Sequence, residues 1–248
     1  MQSNGSIIDV RDVHKTFGTL QVLKGLTIQI AQGTTYVILG RSGIGKSVLL
    51  KSIVGLLVPE QGSIRVKDQE VIGMKTRDLN ALRRTIGYVF QYAALFDSMT
   101  VRENLEFPLR KHTDLNETEI EERVVEQLDL VGLIDAIHKM PAELSGGMKK
   151  RIGLARAIII RPEIVLYDEP TAGLDPMTAR EISELILSLE ARFGITSITV
   201  THDLECAREI ADRIGILHEG VIFHEGTFDE LKNKGDSLTQ EFFHSVLS

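Results

Sequence analysis

An apolar run, Tyr36-Val37-Ile38-Leu39, leads directly into Gly40-Arg41-Ser42-Gly43-Ile44-Gly45-Lys46-Ser47, and no other stretch of the chain constrains the fold as strongly. The segment satisfies G-x-x-x-x-G-K-[ST] at every fixed position, between a predicted buried strand and a predicted helix. In that context the backbone N–H groups of the turn converge on one point and form an anion cradle. Gly40, Gly43 and Gly45 can take positive φ and put no side chain in the way of a ligand. The positive end of the helix dipole adds to the attraction. Lys46 is placed to reach the outer phosphates of a phosphate chain, and the Ser47 hydroxyl to hold Mg²⁺.

The rest of the composition sets bounds. With 248 residues and 43% hydrophobic content, the chain can bury a core of one large domain or two small ones. A net charge of −7 argues against broad nucleic-acid binding. Cys206 is the single cysteine, so no internal disulfide can form, which suits a reducing compartment. The start, Met1-Gln2-Ser3-Asn4-Gly5, lacks the basic and apolar regions of a signal peptide. The most apolar stretch, residues 157–167, is broken by Arg161, Pro162 and Glu163, so a membrane role is expected only through a partner.

Strand-like runs fall at residues 7–13, 26–30, 36–39, 63–66, 86–90, 164–167, 195–200, 214–217 and 221–223. Helical periodicity follows Lys46 and recurs over 100–109, 117–131, 146–160, 177–193 and 204–211. Strands and helices alternate at both ends, whereas residues 92–160 are almost wholly helical. The pattern predicts an α/β core with a helical insertion. In the tail, Phe242, Phe243, Val246 and Leu247 fall at helical spacing, which predicts packing on the core, with a partner copy as the alternative.

Two further stretches carry chemistry. Ile164-Val165-Leu166-Tyr167-Asp168-Glu169-Pro170 is an apolar strand ending in two carboxylates. In a parallel sheet this strand can lie beside the one that carries the glycine loop, bringing both ends to the ligand edge. Asp168 then suits Mg²⁺, usually through water, and Glu169 suits orienting or deprotonating an attacking water, assistance typically worth about 10²–10⁴-fold. In Leu144-Ser145-Gly146-Gly147-Met148, Ser145 is a good N-cap. The two glycines cost the helix roughly 1 kcal/mol each, which close approach to an anion would explain. The alternative is an ordinary capped helix on which Lys149, Lys150 and Arg151 form a solvated basic face.

Taken together, these residues resemble the ATP-binding subunits of ABC transporters, in the family's motif order and over nearly the whole chain. The resemblance implies a P-loop NTPase core of ABC ATPase type, with an N-terminal antiparallel β subdomain and an inserted α-helical subdomain. It makes residues 1–248 one ABC ATPase domain: 1–91 and 161–230 the α/β core, 92–160 the helical subdomain, 231–248 a tail. Residues 40–47 resemble Walker A, with Val48 beside it in the nucleotide contact, and 164–169 resemble Walker B with its catalytic glutamate, Glu169. Residues 144–148 resemble the signature LSGGQ, with Met148 in place of Gln. Methionine cannot donate the hydrogen bond that glutamine can. Gln91 resembles the Q-loop residue that senses Mg²⁺, Ala172-Gly173-Leu174-Asp175 the D-loop, His202 the switch histidine acting on the γ-phosphate, and Phe17 the aromatic that stacks on adenine.

By the same resemblance, ATP and Mg²⁺ are the cofactors. Two copies pack head to tail, so that Ser145, Gly146 and Gly147 of one contact the γ-phosphate held by Lys46 of the other. The apolar members of residues 92–110 would line a groove for a helix of an integral membrane permease at the cytoplasmic face of the inner membrane. Phe107-Pro108-Leu109-Arg110-Lys111-His112-Thr113 and Met140-Pro141-Ala142-Glu143-Leu144-Ser145-Gly146-Gly147-Met148 are similar to the Mla/Mce-type branch, which moves phospholipids or related lipids with an Mce-type lipid-binding protein. An ABC-type ATPase that regulates cell-wall enzymes, or one serving another cargo, would share every residue of the ATP site. Nucleic-acid-repair ATPases carry a long coiled coil between the two motifs, and no sustained heptad pattern occurs in this chain.

Overall fold

The computed structural model describes residues 5–244, so Val246 and Leu247 of the tail lie outside the described residues. The chain divides into two compact units, Met1–Arg83 with Thr196–Ser248, and Arg84–Ile195.

In the first unit, β1 (Ser6–Phe17) and β2 (Leu20–Ala31) form an antiparallel hairpin, with Val10 opposite Ile28 and Val13 opposite Leu26. Alternation along β2 buries Leu23, Leu26, Ile28 and Ile30 and exposes the polar residues between Leu26 and Ile30, the pattern of a sheet with one dry face. Next come β3 (Thr35–Leu39) and α1 (Lys46–Ile53), then β4 (Gln61–Val66) and the two-residue β5 (Gln69–Glu70), which complete the order β2-β1-β4-β5. All five residues of β3 are buried, as expected of a strand covered on both faces.

A short helix that periodicity did not reveal, α2 (Thr76–Arg83), ends in Arg83. Its guanidinium donates to the carbonyls of Val54 (2.8 Å) and Gly55 (3.0 Å), just past the end of α1. This helix buries only Leu82, too little apolar surface to leave a periodic signal.

The second unit opens with β6 (Ile86–Val89), α3 (Val101–His112), α4 (Glu117–Leu130), α5 (Gly146–Ile158), β7 (Ile164–Asp168) and α6 (Pro176–Phe193). Strands β6 and β7 pair in parallel, Ile86 opposite Ile164. On this pair pack Leu154, Ile158, Ile182, Ile186 and Leu189 of α5 and α6. Helices α3, α4 and α5 share their own core of Val101, Leu105, Leu109, Ile120, Val124, Leu128, Ile152 and Ala155. Each helix has a local start signal: capping boxes Thr100–Glu103 and Asn116–Glu119, and N-caps Ser145 and Asp175. The helical residues 92–160 fall inside this unit, together with β6, β7 and α6.

The chain then re-enters the first unit with β8 (Thr196–Thr201), α7 (Leu204–Ile210), β9 (Arg213–His218), β10 (Val221–Gly226), α8 (Phe228–Lys232) and α9 (Ser237–His244). Strand β3 is flanked by β8 on one side and β9 on the other, both parallel to it. This corrects the expectation that the strand ending in Asp168 lies next to the glycine-loop strand: the neighbour is β8, from much later in the chain. Hydrophobicity identifies buried strands but does not fix their lateral order. Val37, Leu39, Ile214 and Ile216 pack under Leu204, Ala207, Ile210 and Leu231. The tail joins this core through Phe243, whose ring meets Phe228 edge-on at 5.3 Å.

One buried polar side chain organises the loop after β6. Asn104 of α3 accepts from the Phe96 N–H (2.9 Å), and its amide donates to the carbonyls of Phe96, Met99 and Thr100 at 3.0–3.1 Å. Arg156 of α5 adds bonds to Asn104 and to the carbonyls of Ala93 (3.0 Å) and Ala94 (2.9 Å). Ala93 and Ala94 both have positive φ, 59° and 48°, so these bonds hold a backbone that alanine disfavours. Asn104→Leu is expected to lower stability by about 1–3 kcal/mol, the cost of leaving buried backbone groups unpaired, read from urea unfolding. An unchanged midpoint would show that the loop does not depend on this side chain.

Candidate functional site

The first unit builds an anion cradle. Strand β3 delivers the chain to Gly40, whose N–H donates to the Thr201 carbonyl at the end of β8 (3.2 Å). A Cβ at Gly40 would stand 3.1 Å from the Leu217 carbonyl oxygen and 3.2 Å from Ile44, a tight fit. Gly45 is required twice over: its φ is 113°, and a Cβ would meet Val22 at 2.6 Å. Gly43 needs its freedom for another reason, a φ of 78° in open space. Gly45 is also the N-cap of α1, so no side chain caps that helix and no acidic residue sits in its first turn. The positive end of α1 is thereby presented along the loop. Lys46 is buried, and its ammonium donates to the carbonyls of Gly40 (2.6 Å) and Arg41 (3.1 Å). The loop thus curls around its own lysine, with Arg41, Ser42 and Gly43 exposed and Ile44, Ser47 and Val48 partly so.

Two more expected residues belong to this unit. His202 is exposed and immediately follows β8, whose last residue, Thr201, bonds to Gly40, so the imidazole is brought to the loop edge of the sheet. Phe17 ends β1 and is 45% exposed, and the Lys15 ammonium lies 5.3 Å from the ring centre. An exposed phenylalanine ring has an open face for stacking.

The second unit holds the carboxylates. Asp168 ends β7, buried, and accepts a hydrogen bond from the Tyr88 hydroxyl of β6 at 3.2 Å. Burial first, and the Asp168 charge second, push that hydroxyl well above the usual tyrosine range, so Tyr88 stays a donor to the carboxylate. Glu169 is also buried and has φ 51°, a left-handed conformation that a non-glycine residue holds only at a cost of order 1–3 kcal/mol. Gln91 lies two residues past β6, partly buried. Its carbonyl and that of Glu169 accept from the same ammonium, Lys150, at 2.7 and 2.9 Å.

Lys150 is the residue that sequence reasoning missed. It is buried, not solvated, and burial lowers its pKa to about 8 against the opposing pull of Glu169 and Asp168. The signal was there: Lys150, Leu154 and Ile158 repeat every fourth residue on the buried face of α5.

The glycine-rich start of α5 has a packing constraint that the sequence does not reveal. Ser145 caps the helix, accepting from the Met148 N–H at 3.3 Å, and Ser145 and Gly146 are exposed. A Cβ at Gly147 would stand 2.7 Å from Cγ2 of Thr178 in α6, so helix packing also disfavours a side chain there. Met148, in the place of the usual glutamine, packs against the core shared by α3, α4 and α5. Asp175 caps α6, accepting from the Met177 and Thr178 N–H groups (3.1 Å each) and the Thr178 hydroxyl (2.6 Å). That hydroxyl bond holds its carboxyl below the usual range. Asp175 therefore has a local structural task.

Comparison with known proteins fits this geometry. Residues 23–172 match the ABC transporter family model, and the chain belongs to that family. It is 40% identical over 240 residues to the probable ribonucleotide transport ATP-binding protein mkl of Mycobacterium leprae, covering 97% of this chain and 69% of that one. It is 39% identical to the chloroplastic protein TRIGALACTOSYLDIACYLGLYCEROL 3 of Arabidopsis thaliana, over 95% of this chain and 73% of that one. With the methionine import ATP-binding protein MetN of Brucella abortus the identity is 38%, over 90% of this chain and 60% of that one. Among solved structures, the dimeric ATP-binding cassette MJ0796 bound to ADP and Pi aligns with TM-score 0.82 and 32% identity, over 89% of this chain and 98% of that one. The cbiO1 protein of Clostridium perfringens aligns with TM-score 0.85 and 30% identity, over 97% and 96%. The chain is an ATPase coupled to transport and uses ATP with Mg²⁺. Among the described residues no helix is long and apolar enough to cross a membrane.

The Gly147 contact generates a test. Gly147→Ala should lower stability by about 1–3 kcal/mol through overpacking. Thr178→Ser, which deletes Cγ2 but keeps the hydroxyl on Asp175, should recover most of that loss in the double variant. Equal losses with Thr and Ser at position 178, read by denaturant unfolding, would place the clash elsewhere.

Proposed function

We propose that this ATPase acts as a pair of copies with two ATP molecules between them, driving lipid transport through a membrane permease. The observation that carries the nucleotide part is the glycine cradle at the head of α1 with the buried Lys46 ammonium on its rim. In this reading residues 40–48 hold the phosphates, Lys46 neutralises the outer ones, and Ser47, Gln91 and Asp168 hold Mg²⁺. Bound Mg²⁺ supplies charge neutralisation at the phosphates. Phe17 stacks on adenine, Glu169 activates the attacking water, and His202 contacts the γ-phosphate. Ser145, Gly146 and Gly147, with Asp175 nearby, reach the γ-phosphate held by the other copy, so ATP favours the closed pair and hydrolysis releases it. The exposure of Ser145 and Gly146 supports an intermolecular role.

For the permease, support comes from exposed aromatics after β6. Tyr92 is 86% exposed, and the Phe96 and Phe107 rings sit 5.0 Å apart, both solvent-facing. Single exposed apolar residues are ordinary, but an aromatic group of this kind suits a helix from a membrane partner. For the cargo, the relative with a galactolipid in its name agrees with the Mla/Mce-like stretches at 107–113 and 140–148. A second reading, transport of a small polar solute, is favoured by the methionine-import relative.

Glu169→Gln is expected to retain ATP affinity, to lose nearly all turnover, and to accumulate as an ATP-bound pair in size-exclusion chromatography. Normal hydrolysis by that variant would remove the base from Glu169. Ser47→Ala should weaken Mg²⁺-dependent nucleotide binding, and unchanged affinity in excess Mg²⁺ would count against the loop assignment. Capture of the complex from native membranes, followed by lipid analysis, tests the cargo: enriched phospholipid or glycolipid with an Mce-type subunit supports it, and a methionine-binding subunit without lipid overturns it.

A further inference from the structure

Lys150 is the one buried cation in the second unit whose ammonium joins two backbone segments of the proposed hydrolytic apparatus. It donates to the carbonyl of Gln91 (2.7 Å) and to that of Glu169 (2.9 Å), although the two lie 78 positions apart in the chain. It sits in the second turn of α5, four residues after Gly146, so the bridge is part of the helix that Ser145 caps. Both carbonyls belong to backbone that regular structure does not hold. Gln91 lies in the turn after β6, and Glu169 is the left-handed residue directly after β7, with φ 51°. Both bonds are made to backbone carbonyls, and the ammonium also feels the pull of the Glu169 and Asp168 carboxylates.

We propose that Lys150 is a positioning residue for hydrolysis. Its ammonium fixes the backbone from which the Gln91 and Glu169 side chains project, and ties both to the start of α5. A shift of α5 at its Ser145–Gly147 end is thereby transmitted to the metal-sensing glutamine and the base together. Arginine or glutamine can also donate to two carbonyls, whereas methionine fills similar volume and donates none. The inference rests on the reading of Glu169 as the base and Gln91 as a metal contact.

The test uses the full-length chain with Lys150→Met and Lys150→Gln. ATPase rate and equilibrium ATP affinity are measured separately, and thermal unfolding is followed in parallel. Lys150→Met should lower kcat roughly 10- to 100-fold, the scale of a small misplacement of reacting groups, with ATP affinity within about twofold of the parent. Lys150→Gln should recover part of kcat. A Met variant with kcat within about twofold of the parent, or a parallel fall in ATP affinity and turnover, overturns the proposal. If Lys150→Met does not fold, Lys150→Ala, which likewise removes the donor, takes its place: reduced kcat with parental affinity supports positioning, and parental kcat overturns it. Glu169→Gln separates the two claims. If it abolishes turnover while Lys150→Met does not, the positioning claim alone fails. If it leaves turnover intact, the underlying reading fails whatever Lys150 does.

Discussion

The first unit depends on a backbone that turns at Gly43 and Gly45 through conformations other residues avoid, then starts a helix with no side chain over its end. That geometry leaves an anion as the natural partner of the loop. Lys46 turned onto the carbonyls of Gly40 and Arg41 is its complement, a charge held at the rim by the loop itself. The sheet supports the arrangement from both sides, since β8 and β9 flank β3 and the Thr201 carbonyl anchors Gly40. A change that moved β8 would therefore move His202 and the loop together.

The second unit solves a different problem, holding two carboxylates ready at the end of one strand. Tyr88 orients Asp168 by a direct bond, and Lys150 secures the strained backbone of Glu169 through its carbonyl. Around them, polar groups hold loops in place: Asn104 and Arg156 pin residues 93–100, and Asp175 begins α6. Substitution of Met148 for the usual glutamine costs the signature a donor, and the structure shows what the methionine gives instead, packing against the helical core.

Much of this was legible in the sequence. All nine strand-like runs correspond to strands, because Val/Ile-rich segments such as Ile164-Val165-Leu166-Tyr167 are buried on both faces. Ser145 declared the start of its helix, and the structure confirms it as the N-cap of α5. What stayed hidden depended on tertiary contact. Lateral strand order put β8 beside β3, α2 had one buried residue to announce it, and Gly147 lies close to Thr178, a residue far along the chain. Lys150 looked like part of a basic run because its neighbours Lys149 and Arg151 do. Only its alignment with Leu154 and Ile158 on the helix marks it as inward-facing. Motif spacing names residue types, but the bonds between backbone segments that make a site rigid leave little trace in it.

The claim that one copy supplies only part of each reaction centre is open to direct measurement. Two differently tagged chains, both with the buried Cys206 replaced by alanine, carry Ser42→Cys in one and Ser145→Cys in the other. Both positions are exposed, so neither cysteine is hidden within its own chain. Mixed under mild oxidation, they should form a disulfide between chains when ATP and Mg²⁺ are present and little without nucleotide. ATP bound by each chain, with no nucleotide-dependent crosslink between the two tags, would contradict the account.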